Sequence, residues 1–175
     1  KSPSWCNYED ITELLLRGRS ISEKARGTLV KDSAESGRQK IVELHLENGP
    51  ITETDRGEAI KRSIINGHIG IINLLLKDRL ISEKTLGDFI EIAAEFCRQS
   101  VVEFLLKRGP ISKKDRGKSV KSAVKQGHVG IVNLLLKSGS ISNEARGELV
   151  EFAAKAGSER LVALLIESGE ISGSA

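Results

Sequence analysis

"ISKKDRGKSVKSAVKQGHVGIVNLLLKSGS", residues 111–140, is the stretch whose reading decides the fold. Stepping outward from it by thirty residues, the same phrase recurs. Ile followed by Ser or Thr stands at 21, 51, 81, 111, 141 and 171, and Gly stands at 27, 57, 87, 117 and 147. The step never changes. Five full repeats therefore run 21–50, 51–80, 81–110, 111–140 and 141–170. Residues 7–20 match the second half of a repeat, and 171–175 form the stub of a next one. The expectation is a single repeat domain over 1–175, a fragment of a longer array. Self-similarity at such a period is the signature of a solenoid, in which each unit buries its apolar face only against its neighbours.

Each repeat reads as two helices. Ser22, Thr52, Ser82, Ser112 and Ser142 at position 2 are candidate N-caps, because a short side-chain oxygen accepts from the free N–H groups of the first turn. Apolar or small residues at positions 9, 10, 13 and 14 make one helical face. Gly37, Gly67, Gly127 and Gly157 are placed to leave that helix in a left-handed conformation. The second helix carries the strongest apolar run, "IVNLLL" at 131–136, and Gly49, Gly109, Gly139 and Gly169 are expected to close it. Pro50 and Pro110 follow where a helix cannot continue. The first helix is expected to start near position 3, which puts Gly27 and its counterparts inside a helix at about 1 kcal/mol each against Ala. Close packing on the next repeat would explain that Gly; the alternative is a turn at Gly with the helix after it. Position 9 alternates large and small, Leu29, Ala59, Phe89, Ser119 and Leu149, as interdigitating neighbours require.

"AVKQGHVGIVNLLLKSG" at 123–139 and "IINGHIGIINLLLK" at 64–77 resemble the helix–turn–helix phrase of the ankyrin-repeat family. The resemblance implies an all-α, ankyrin-like α-solenoid of stacked helix–turn–helix repeats. Two departures stand out. The family's Thr-Pro-Leu-His opening is absent, and the period is three residues short. The missing residues normally build the β-hairpin finger, which is therefore expected to be reduced or absent. A tetratricopeptide array fits less well, since its aromatic pattern and longer unit are missing.

Composition is that of a folded chain with a small positive net charge: 39% hydrophobic, 29% charged, formal net charge +3. No apolar run has membrane-spanning length. Cys6 and Cys97 make neither a disulfide framework nor a metal site, so no cofactor or metal is expected, and a cytoplasmic setting is. His68 and His128 sit in equivalent Gly-His turns and read as structural. His45 replaces a Leu and reads as half-buried with a polar tip. No nucleophile–base set or phosphate loop appears, so no enzyme activity is expected. Charge by repeat runs 0, +1, −1, +6 and −3. A nucleic-acid surface would need a continuous basic stripe with aromatic platforms, which disfavours that partner. Arg26, Arg56, Arg116 and Arg146 recur at position 6, with Leu86 in the third repeat. They either face an acidic partner or bond nearby carboxylates, such as Asp55 and Asp115, and neighbouring carbonyls.

By resemblance, partner contacts in ankyrin-like arrays come from the first helices, just before the Gly turn, on the concave face. The matching residues here are Arg62, Ile65, Asn66, Ile92, Glu95, Phe96, Lys121, Lys125 and Phe152. Ile65, Ile92 and Phe96 would supply an apolar centre with a charged rim, the usual anatomy of a binding hot spot. The expected function is a protein–protein interaction module, a monomeric scaffold whose concave face binds another protein. The resemblance extends to arrays that intracellular microbes direct at proteins of the host cytosol. The alternative is polyanion or nucleic-acid binding through the basic fourth repeat.

Overall fold

A computed structural model describes residues 21–77 and 79–170. The half-repeat at 7–20 and the stub at 171–175 lie outside the described residues, as does Cys6. The described residues form ten α-helices and no strand, two helices per repeat. They are α1 (Glu23–Glu35) and α2 (Gln39–Glu47), α3 (Glu53–Asn66) and α4 (Ile69–Leu75), α5 (Glu83–Glu95) and α6 (Gln99–Leu106), α7 (Lys113–Lys125) and α8 (Val129–Lys137), and α9 (Asn143–Lys155) and α10 (Glu159–Glu170). The chain divides between residues 78 and 79 into two compact bodies. The N-terminal body holds α1–α4 and the C-terminal body α5–α10.

Every first helix starts at position 3, ahead of the recurrent Gly. The cap decides this. Ser22, Thr52, Ser82, Ser112 and Ser142 all have extended backbone, and each side chain accepts from the backbone N–H three residues on. Each first helix then ends on a tight turn. Gly37, Gly67, Gly127 and Gly157 adopt φ of 73°, 80°, 73° and 68°, the left-handed region open to Gly without cost. Cys97 occupies the same turn at φ 56°, so the third repeat keeps the turn and bears the strain of a β-carbon there. Gly49 and Gly139 follow α2 and α8 with φ of 141° and 153°. Gly169 does not close its helix; α10 runs through it to Glu170.

The core is built from the expected columns. Val30, Ile60, Ile90 and Val120 at position 10, with Ala34, Ile64, Ala94 and Val124 at position 14, are buried. The second helices add Ile41 and Val42, Ile71 and Ile72, Val101 and Val102, and Ile131 and Val132. Burying a branched side chain of this size contributes about 1.5–3 kcal/mol. Phe89, Ala59, Ser119 and Leu149 are also buried, as their alternation requires, but Leu29 is 41% exposed and departs from it.

Within each body an odd-numbered repeat closes tightly on the even one after it. In the N-terminal body α1 packs on α3 and α2 on α4; in the C-terminal body α5 packs on α7 and α6 on α8. The recurrent Gly sits at the closest point of these crossings. A β-carbon on Gly27 would stand 2.6 Å from Asp55 Cγ, and one on Gly87 would stand 2.7 Å from Asp115 Cβ. Gln99 makes a second close contact, its Oε1 2.6 Å from where a β-carbon on Gly130 would lie, and Gln39 does the same to Gly70. The even-to-odd step from α7 to α9 is looser: a β-carbon on Gly117 would meet only Ala145, at 3.8 Å.

Candidate functional site

The predicted site residues fall at or near the last two turns of first helices, at repeat positions 11, 12, 15 and 16. Arg62, Ile65 and Asn66 belong to α3 in the N-terminal body. Ile92 and Glu95 on α5, Phe96 at its C-cap, Lys121 and Lys125 on α7, and Phe152 on α9 belong to the C-terminal body. In that body α7 packs between α5 and α9, which brings these three helices into one layer. Phe96 is 43% exposed and Phe152 41%, while Ile92 is half-buried. Large apolar side chains left in water near the ends of two first helices are the informative observation here, because Ala93, Ala94 and Ala153 beside them are fully buried.

The polar members divide into committed and open groups. Arg62 Nη1 donates to Glu35 at 2.7 Å and to Asp32 at 3.3 Å, so it ties α3 to α1. Asn66 Nδ2 donates to the Arg62 carbonyl at 2.9 Å and caps its own helix end. Ile65 is half-buried beside them. In the C-terminal body Lys121 lies 3.6 Å from Glu148 on α9. Glu95 and Lys125 are exposed, with no ion pair among the described residues.

Part of the charge of the basic fourth repeat is paired within the fold. Helix α7 is flanked by α5 and α9, both rich in carboxylates. Lys84 of α5 and Lys118 of α7 both approach Asp115, at 3.4 and 3.5 Å. The Asp115 carboxyl is held below its ordinary value, first by the hydrogen bond from Ser112 and then by Lys84 and Lys118. Asp55 in the N-terminal body is held down likewise, by Lys31 and Thr52. Of the α7 lysines, Lys118 thus pairs within its own helix and Lys121 with Glu148 of α9, while toward α5 it is Asp115 of α7 that receives Lys84, so part of the positive charge is not available to a ligand.

Arg26, Arg56 and Arg116 take the carbonyl option, and Arg56 Nε also lies 3.8 Å from the Glu53 carboxylate. Arg26 Nη1 donates to the Pro50 carbonyl at 2.9 Å and Nη2 to that of Ile21 at 3.0 Å. Arg116 donates to the carbonyls of Ser140 and Ile111 at 3.0 and 3.3 Å and to Ser138 Oγ at 3.3 Å. Arg56 reaches the Leu75 carbonyl at 3.2 Å. Each clamps the end of its own repeat's second helix or the linker beyond it. Asp55 and Asp115 instead bond lysines and their own N-cap hydroxyls.

His45 is 2% exposed and not half-buried, and its Nδ1 has no partner among the described residues. Desolvation, and then the charge of Arg26, lower its pKa from 6.5. His68 Nε2 lies 3.2 Å from the Glu35 carbonyl, a bond that locks the second repeat to the first. Sequence reading missed the odd-to-even closure. Its one signal was that repeats two and four alone carry Gly-His turns followed by Gly70 and Gly130.

An open cleft of about 480 Å³ lies between α8 and α10, lined by Asn133, Leu136, Leu164 and Glu167 among others. No group of three or more His, Cys, Asp or Glu is placed to hold a metal ion among the described residues, and none of their helices is long and apolar enough to cross a membrane. No protein-family model matches the chain, and no curated protein matches it significantly.

Proposed function

We propose that the chain is a non-catalytic protein–protein interaction module, an ankyrin-like α-solenoid that binds a polypeptide on the face made by its first helices. The carrying observation is the exposure of Phe96 and Phe152, at positions 16 and 12 of the third and fifth repeats and so one helical turn apart in register, in a chain with four Phe. Exposed aromatics with half-buried Ile92 between helices, rimmed by Glu95, Lys121 and Lys125, give an apolar centre within a polar border. In the N-terminal body the same columns give Ile65 with Arg62 and Asn66. Cross-helix pairing of Arg62 and Lys121 keeps those side chains standing in place for a partner. A soluble scaffold of the cytoplasm, or of a host cytosol, is the setting this reading fits.

The test is a selection of displayed random peptides on the wild-type chain, counter-screened on Phe96→Glu with Ile92→Ser and on Phe152→Glu. Peptides held by wild type and released by either variant, with circular dichroism unchanged, support the face. Equal retention by all three chains overturns it. Retention on heparin that falls when Lys118, Lys121 and Lys125 become Glu would favour the polyanion alternative instead.

A further inference from the structure

We infer that the outer face of α9 and α10 is a docking surface for a basic amphipathic helix pair. It stands apart from the face bearing Phe96 and Phe152 and does not rest on the function proposed above. The inference starts from how the two closed odd repeats receive their partners. In each, the position-7 Gly admits an Asp from the next repeat: Asp55 at Gly27 and Asp115 at Gly87. In each, a lysine of the odd repeat meets that Asp, Lys31 at 2.5 Å and Lys84 at 3.4 Å. Around them Val30, Ala34 and Val42, and Ile90, Ala94 and Val102, are wholly buried.

The fifth repeat carries the same face, open. A β-carbon on Gly147 or Gly157 would meet nothing within 4 Å. Ala154 is exposed where Ala34 and Ala94 are buried, Val150 and Val162 are only half-buried, and Ile166 is 49% exposed. This is an apolar, small-residue surface of the shape that elsewhere in the molecule accepts a helix pair.

Its charge, however, is reversed. Positions 4 and 11, which supply Lys84 and Lys31 in the closed repeats, are Glu144 and Glu151 here. Glu144 and Glu159 are exposed and have no ion pair among the described residues. Glu151 accepts from Lys155 at 2.6 Å, which offsets one carboxylate only. The repeat carries −3 in sequence. An occupant with Asp at the Gly147 slot would bring like charge against Glu144 and Glu151; one with Lys or Arg would be drawn in. A second copy of this chain does not supply it, because its basic helix α7 is already covered by α5 on one side and α9 on the other.

A direct probe is a sixth repeat appended after residue 170, copied from residues 111–140, with its fifth residue either Asp, as copied, or Lys. Thermal unfolding of both chains is followed beside the parent. The Lys copy is expected to raise Tm by about 2–4 °C more than the Asp copy. In a host carrying Glu144→Lys and Glu151→Lys the order should invert, and in a host carrying Ala154→Asp both increments should vanish. The inference fails if neither copy raises Tm, if the Asp copy is equal or better in the native host, or if the host charge swap leaves the order unchanged.

Discussion

Gly27, Gly87 and Gly147 occupy one repeat position inside one kind of helix, yet their surroundings set opposite costs for a methyl group. At Gly147 there is open space, so Gly147→Ala should stabilise by about 1 kcal/mol through helix propensity alone. At Gly87 the new β-carbon meets Asp115 Cβ at 2.7 Å, and that residue is held by Ser112 and two lysines. Gly87→Ala should therefore destabilise by about 1–3 kcal/mol despite the propensity gain, and Gly27→Ala likewise against Asp55. Urea denaturation of the three variants checks the sign at each site; the same sign at all three would refute the packing assigned here. What was legible at this scale was whatever is local. Ser112 could be read as a cap and Gly127 as a left-handed turn because each acts on backbone within four residues. The Gly87–Asp115 contact was not legible, since it joins residues a whole repeat apart and depends on how two helices cross. Phe96 lay between these cases: its column was readable, but its exposure depended on how the helices pack.

At the scale of the element, the clamp between Arg116 and its linker couples two recurrent features of the repeat, the arginine at position 6 and the glycine at position 29. A β-carbon on Gly139 would lie 2.7 Å from the Arg116 guanidinium, and Gly49 stands in the same relation to Arg26. In the first and fourth repeats glycine at position 29 thus makes room for the arginine as well as adopting φ of 141° and 153°, whereas the second repeat has both Arg56 and, at position 29, Arg79. The third repeat supports the linkage: Leu86 replaces the arginine, and a β-carbon on Gly109 would meet only Leu86 Cδ2, at 3.7 Å. Arg116→Leu should cost about 2–4 kcal/mol, because the linker carbonyls lose a charged donor. Gly139→Ala should also destabilise, but by less in the Arg116→Leu background, with a coupling of about 1 kcal/mol in a double-mutant cycle. Additive costs would mean the two residues do not act on each other. The arginine ladder was visible in the sequence, and carbonyls were among its foreseeable partners. Which carbonyls, and the dependence on Gly139, required the linker's path.

For the whole molecule, the closure of odd on even repeats makes a pair of repeats, about sixty residues, the tightly packed unit within each body. Sequence showed this only as the likeness of repeats two and four. The bodies differ at one position of the apolar core. Position 25 holds Leu75 in the N-terminal body and Leu105, Leu135 and Leu165 in the C-terminal one, all buried, but His45 in the first repeat. Its lowered pKa means the unfolded chain takes up a proton at a pH where the folded one still refuses it. The folded state therefore has its full His45 stability above pH 6.5 and loses it as pH falls from 6.5 toward the lower folded value. Each unit of lowering is worth about 1.4 kcal/mol. Asp55 and Asp115 are depressed carboxylates, so their contributions are lost only in a lower window, below 3.8. Between about pH 7.5 and about pH 5, then, native-state amide exchange should lose protection in α1–α4 and hold it in α5–α10. His45→Leu should abolish that difference and raise stability by about 1–3 kcal/mol at neutral pH, since the orphaned Nδ1 is removed from the core. Equal loss of protection in both bodies, or a pH response that survives His45→Leu, would place the titrating group elsewhere.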